Sequence, residues 1–186
     1  FETITDLENA EEIMQVLYSS SSYRGHLEQR QLKQTIMLGF SDGTKDGGYL
    51  QANWSIYKAK ERLTSLSRKN GVEVLFFDGR GGPPSRGGGK THQFYESLGD
   101  TIEKEEIQLT IQGQTITSNF GTVQSAEFNV EQLLTAGISN EIFASTRTPL
   151  SDRNREILDE LSQISYETYQ KLKNHPQFLP YLQKFS

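Results

Sequence analysis

Two arginines six residues apart, each followed by two glycines, are the groups in this chain best suited to holding an anion. Arg80 and Arg86 lie with Lys90 in residues 78–91, DGRGGPPSRGGGKT. Glycine and proline dominate the stretch, so it cannot form the interior of a helix or strand. A planar guanidinium grips phosphate or carboxylate oxygens in pairs, and glycine-rich backbone lets N–H groups face an anion as well. The whole chain carries a net charge of −5, so positive charge concentrated on one loop predicts a site for phosphates or carboxylates. The one acid in the stretch, Asp78, is placed to pair with Arg80 and compete with such a ligand.

Other readings of the loop fare worse. GGGKT resembles the end of a nucleotide-binding P-loop, but that motif needs glycine where Pro84 stands. Proline offers no N–H to a phosphate. Arg-Gly-Gly repeats also occur in nucleic-acid-binding arms, which are disordered and strongly basic. This stretch is short and sits in an acidic chain with a pI of about 5.3. A plain surface turn explains the glycines but not the spacing of the two arginines.

The elements that must position these groups come next. Residues 72–77, VEVLFF, read as a buried strand running into the loop, and Thr91 can cap a short helix through Tyr95 and Leu98. Upstream, residues 34–40 read as another strand, residues 41–48 as a turn, and about 46–69 as a long helix. That helix places Leu50, Trp54, Tyr57, Leu63 and Leu66 on one side and closes at Arg68, Lys69 and Gly71. Strand, helix and strand make a βαβ unit with parallel strands. Both turns then leave carboxyl ends of strands, the edge where ligands bind in α/β folds. Asp42, Lys45, Arg80 and Arg86 can therefore converge. Elsewhere, Thr5 to Glu8 has the form of a capping box for a helix to about Ser19, where serines 19–22 break it. Residues 107–112 and 115–120 alternate around Gly113 like a hairpin. Helices follow at 123–134 and at 151–172, the latter capped by Ser151, and an aromatic last turn at 176–185 is expected to pack on its neighbours.

Composition sets the limits. The chain has 186 residues, 34% of them hydrophobic, enough for one core and one domain. It has no cysteine, which fits a reducing compartment. No apolar run approaches the ~20 residues of a membrane span, and no signal peptide is visible. Asn53-Trp54-Ser55 matches a glycosylation acceptor but falls in a predicted helix. The start at Phe1 suggests a fragment of a longer protein. His92 is read as serving the helix after the loop, and His26 and His175 as surface or packing residues.

The loop GRGGPPSRGGG resembles the mobile active-site loop of phosphoenolpyruvate carboxylases. Residues 37–48, MLGFSDGTKDGG, are similar to that family's other signature. Phe1 to Ile4 with Asp6-Leu7, Tyr23-Arg24, and Gln112 to Ile116 followed by Phe120-Gly121 fall in the family's order. The resemblance implies a parent several times longer, with this chain a sector of a TIM-like (β/α) barrel with additional surrounding helices. It implies carboxylation of phosphoenolpyruvate by bicarbonate, giving oxaloacetate and phosphate, in the cytoplasm and without biotin.

By the same resemblance, Asp42 and Glu2 match ligands of an essential Mg²⁺ or Mn²⁺. The residues alone also permit a turn aspartate and an acid at a helix N-terminus. Lys45, otherwise an ordinary solvated lysine, matches a group at the site of carboxylation. Arg80 matches an arginine holding the substrate phosphate. Arg86 matches the loop arginine closing over the reacting centre, with hinge freedom from Gly81, Gly82, Gly87, Gly88 and Gly89. Asp78 departs from the histidine that many members carry, and Pro83-Pro84 should stiffen the lid. The family's catalytic histidine and further arginines fall outside this stretch, so the isolated chain is expected to be inactive, a non-catalytic anion-binding domain being the alternative. The parent is expected to be a homotetramer, with aspartate or malate as a possible effector and with neither nucleic acid nor membrane as partner.

Overall fold

The computed structural model describes residues 1–83, 86–111, 113–143 and 149–185. Pro84 and Gln112, both used in the sequence reading, lie outside them. The element order is α1 Ile4–Ser19, α2 Ser21–Gln29, β1 Lys33–Leu38, α3 Phe40–Gly47, α4 Tyr49–Lys69, β2 Glu73–Asp78, α5 Thr91–Glu96, β3 Gln108–Leu109, α6 Gln114–Phe120, α7 Val123–Ile142, α8 Asp152–Lys173 and α9 Phe178–Phe185. This is a mixed α/β fold whose sheet has the order β1-β2-β3, every pairing parallel.

The βαβ unit forms as the sequence reading expects. In β1, Ile36 and Leu38 are buried; in β2, Val74, Phe76 and Asp78 are. The register pairs Ile36 with Phe76 and Leu38 with Asp78, so both strands turn the same face to the core. That face joins Leu7, Ala10 and Met14 of α1 and Ile56, Ala59, Leu63 and Leu66 of α4. The buried residues of α4 recur every three or four positions, which makes it the crossover helix. It ends at Asn70, and Gly71 takes the left-handed conformation at φ +63°.

Phe1 sits on the other side of β1. Its amino group donates to Met37 O at 2.9 Å, and Gly39 N–H donates to Phe1 O at 2.9 Å. That is the bonding pattern of parallel neighbours, and it presents Glu2 at the carboxyl edge of the sheet.

Several expectations need correction. The capping box lies two residues earlier, with Thr3 as cap and Asp6 as its partner. Ser20 alone breaks the chain before α2, a helix the sequence reading did not contain. Residues 40–47 form α3 rather than a turn; Thr44 Oγ1 donates to Phe40 O at 2.7 Å within it. The hairpin is absent: β3 pairs parallel with β2, and residues 114–120 are helical. Helix α7 runs on to Ile142 rather than stopping at 134. Helix α9, expected to pack on its neighbours, leaves Leu179 and Leu182 exposed. Among the described residues, no helix is long and apolar enough to cross a membrane.

Candidate anion and metal site

The carboxyl ends of β1 and β2 are adjacent, and Gly79 N–H donates to Leu38 O at 2.9 Å. The α3 segment and the glycine-rich loop therefore leave the sheet side by side. Gly87, at φ +72°, lies against Phe40; a Cβ there would stand 3.0 Å from Phe40 O. Tyr49 Oη donates to Gly88 O at 3.4 Å. The loop closes on itself through Gly81 N–H to Arg86 O at 3.0 Å, Gly88 N–H to Pro83 O at 2.9 Å and Gly89 N–H to Gly82 O at 3.2 Å. A Cβ on Gly88 would fall onto the carbonyl oxygens of Gly81 and Gly82. The glycines thus permit close backbone approach, and three of their amides are spent inside the loop.

Arg80 and Arg86 part company in this geometry. Arg86 is exposed. Arg80 is 5% exposed, its guanidinium carbon 4.1 Å from the Phe94 ring centroid and 5.6 Å from that of Phe40. Its Nε donates to Gly87 O at 3.4 Å, while its buried Nη1 has no hydrogen-bond partner among the described residues. Burial pushes the guanidinium below its ordinary value, with Tyr95 and Asp78 working against the shift. Arg80 also lines a cleft of about 450 Å³ with Gly81, Gly82, Lys90, His92 and Asn129. His92 therefore borders the cleft as well as opening α5.

The expected Asp78–Arg80 ion pair does not form. Lys60 Nζ sits 2.7 Å from each Asp78 oxygen, with its hydrogen bond directed at Oδ2. Tyr95 Oη donates to the same Oδ2 at 2.9 Å. Strand alternation explains the outcome, because it turns Asp78 to the helix-facing side of β2, towards α4 and α5.

Asp42 and Lys45 lie on α3. Lys45 Nζ stands 3.0 Å from Asp42 Oδ1, both side chains at least half exposed. Glu2, also exposed, lies over the start of α3: a Cβ on Gly39 would stand 2.9 Å from Glu2 Cγ, and one on Gly43 would stand 3.5 Å from Glu2 O. Gly39 and Gly43 thus form a cradle that residue 2 occupies, on either side of Asp42 in sequence. Among the described residues, no three His, Cys, Asp or Glu gather around one point. Two exposed carboxylates suit a hard ion such as Mg²⁺, which takes one or two carboxylates and completes its shell with water and substrate.

Sequence reasoning missed four supporting residues. Lys60 and Tyr95 hold Asp78, and Phe94 is the platform for Arg80. Asp46 ties three helices together: its Oδ2 accepts from Ile4 N–H at 3.0 Å, and its carbonyl accepts from Gln170 Nε2 at 2.6 Å. For Lys60 a signal existed, since it falls one turn from both Ile56 and Thr64 on the buried face of α4. For Phe94 and Asp46 none was available without the tertiary fold.

These features define a parallel α/β protein with a cationic, glycine-built loop at the carboxyl edge of its sheet. The family model described as phosphoenolpyruvate carboxylase matches residues 1–186, and the chain belongs to that family. The phosphoenolpyruvate carboxylase of Corynebacterium efficiens is 36% identical over 182 residues, which are 97% of this chain and 20% of that protein. The chain therefore spans about a fifth of the length of that curated relative.

Proposed function

We propose that this chain is the metal-and-lid sector of a longer phosphoenolpyruvate carboxylase, built as part of a (β/α) barrel. The observation that carries the reading is Arg80, a buried cation that lines a cleft and whose Nη1 has no hydrogen-bond partner among the described residues. A buried charge needs a partner, and a phosphate supplies charge and acceptors together.

In this reading Arg80 holds the phosphate of phosphoenolpyruvate. A bicarbonate oxygen attacks phosphorus, the bond from phosphorus to the enol oxygen breaks, and carboxyphosphate and the pyruvate enolate result. Carboxyphosphate gives carbon dioxide and inorganic phosphate, and the enolate carbon captures the carbon dioxide as oxaloacetate. Arg86, exposed on the loop, closes over the reacting groups and excludes water. Lys45 offers its ammonium to the carboxylate being transferred. Glu2 and Asp42 would hold Mg²⁺ or Mn²⁺, which when bound supplies Lewis-acid stabilisation of developing negative charge. Nothing in this sequence of steps calls for biotin. The whole enzyme is a cytoplasmic homotetramer in this reading, open to an aspartate or malate effector, and the isolated chain is inactive.

The test is phosphate release from phosphoenolpyruvate by the full-length enzyme, with and without bicarbonate and Mg²⁺. Release that requires both, with oxaloacetate formed in step, is expected. An Arg86→Ala enzyme should lose turnover by orders of magnitude and keep Mn²⁺ binding; unchanged turnover would remove Arg86 from the mechanism.

A further inference from the structure

Four polar side chains are buried together at the carboxyl end of β2: Lys60 at 2% exposure, Asp78 at 1%, Tyr95 at 3% and Arg80 at 5%. Two are basic side chains and one is an acid; burial pushes the Lys60 ammonium below its ordinary value, and the contact with the Asp78 carboxylate works against that shift. Asp78 and Arg80 are separated on the chain by Gly79 alone, and Arg80 N–H donates to Asp78 O at 2.8 Å. Left to themselves, a buried aspartate and a buried arginine two residues apart would pair, since each relieves the other's lost hydration. Here Asp78 Oδ2 accepts from Lys60 Nζ at 2.7 Å and from the Tyr95 hydroxyl at 2.9 Å, while Oδ1 lies 2.7 Å from the same ammonium and has no hydrogen bond of its own among the described residues. The arginine rests instead on the faces of Phe94 and Phe40, with Nη1 unpartnered among the described residues.

We propose that Lys60, with Tyr95, is a positioning residue that holds the Asp78 carboxylate away from Arg80 and so keeps the guanidinium open to the substrate phosphate. The proposal rests on the reading of Arg80 as the phosphate-holding arginine. It explains how an acid can stand beside that arginine without blocking it. Lys60 also touches three rings, its Nζ lying 5.1 Å from the Phe76 centroid, 5.3 Å from Phe94 and 6.0 Å from Tyr95. Phe94 therefore lies beside both cations.

The experiment measures binding of inorganic phosphate and of phosphoenolpyruvate to the full-length protein by titration calorimetry, alongside the KM and kcat of carboxylation. Lys60→Met leaves Asp78 without its cation, and Arg80 is the next one available. Phosphate binding should weaken at least tenfold, and KM for phosphoenolpyruvate should rise more than kcat falls. In the double variant Lys60→Met, Asp78→Asn the competing charge is gone, and at least half of the lost affinity should return. A purely structural role predicts no such recovery. Unchanged affinity in Lys60→Met, or no recovery in a folded double variant, overturns the proposal. Should Lys60→Met not fold, Asp78→Asn alone decides: phosphate binding kept or tightened supports the proposal, and phosphate binding lost overturns it. Phosphate binding by the unsubstituted protein without carboxylation would sink the enzymatic reading and leave the role of Lys60 standing; failure of that protein to bind phosphate would sink the role of Lys60.

Discussion

The guanidinium carbon of Arg80 stands 4.1 Å from the centre of the Phe94 ring, a contact between the loop after β2 and the helix that follows it. Phe94 is itself held edge-on by Phe40 at 5.5 Å and Tyr95 at 5.1 Å between centroids. The arginine is thus aimed by packing, helped by a hydrogen bond to Gly87 O. Replacing Phe94 by Leu keeps much of the apolar volume and removes the ring face. A desolvated cation–π contact is worth about 1–2 kcal/mol, so affinity for phosphoenolpyruvate should fall about five- to thirtyfold in the full-length enzyme. Arg80→Lys should cost more, because a point charge cannot reproduce the fork. Calorimetric titration of both variants gives the order.

Asp42 and Lys45 allow function to be separated from stability. Their pair is exposed, and such pairs contribute about 0–1 kcal/mol. Asp42→Asn should therefore leave the unfolding midpoint within a degree or two, by about the same argument, while Mn²⁺ binding followed by electron paramagnetic resonance falls at least tenfold. Glu2→Gln should behave alike. A large loss of stability with normal metal binding would reassign both acids to structure.

The contrast between α4 and α3 shows what the sequence could and could not tell. Residues 34–78 yielded strand, helix and strand because two short apolar runs flank a segment whose apolar residues recur at helical spacing. The site's edge followed from parallel pairing alone. Helix α3, by contrast, reads as a turn because glycines 43, 47 and 48 and Asp42 are poor helix residues. It is held by groups remote in sequence: Tyr169 Oη on Lys45 O at 2.9 Å and Gln170 Nε2 on Asp46 O at 2.6 Å. The false hairpin has the same origin. Residues 115–118, TITS, alternate like a strand, and the flanking Gly113 reads as a turn. Lys60 was passed over because lysine is so seldom buried, although its position on the apolar face of α4 was visible. Which partner Asp78 would choose depended on that same lysine.

Acid should unfold the chain through the contacts of α8. Burial alone would raise the Glu61 carboxyl, but hydrogen bonds from Arg155 and Thr101 bring it below its ordinary value of 4.5. Asp159 is lowered first by the Lys58 contact, with the Trp54 indole adding to it. Both folded values lie below the unfolded ones, so the unfolded state binds more protons in the acidic window. The stabilisation is complete above the unfolded values and is lost as pH falls through the folded ones. Arg155→Met should lower stability near neutral pH by about 1 kcal/mol, since both partners are partly exposed. It should also flatten the fall in stability between about pH 5 and pH 3. Urea unfolding across that range measures the slope, and an unchanged slope would exclude Glu61 as its source.

Two glycines distinguish the loop's geometry from mere flexibility. Gly87 takes φ +72°, and a Cβ there would come 3.0 Å from Phe40 O, so alanine is disfavoured both by conformation and by contact. Gly87 O is also the acceptor for Arg80 Nε, so a displaced loop disturbs the arginine directly. Gly87→Ala should lower kcat/KM at least tenfold in the full-length enzyme and spare Mn²⁺ binding at α3. Gly25, within α2, has nothing within 4 Å of where a Cβ would stand. Alanine there should add about 0.5–1 kcal/mol of stability from helix propensity and leave kinetics alone. If the glycines served only to keep the lid pliable, Gly87→Ala would act through slower closing, and phosphate affinity at equilibrium would not change. A weakened affinity at equilibrium instead assigns Gly87 to holding the loop against Phe40 with Arg80 in place.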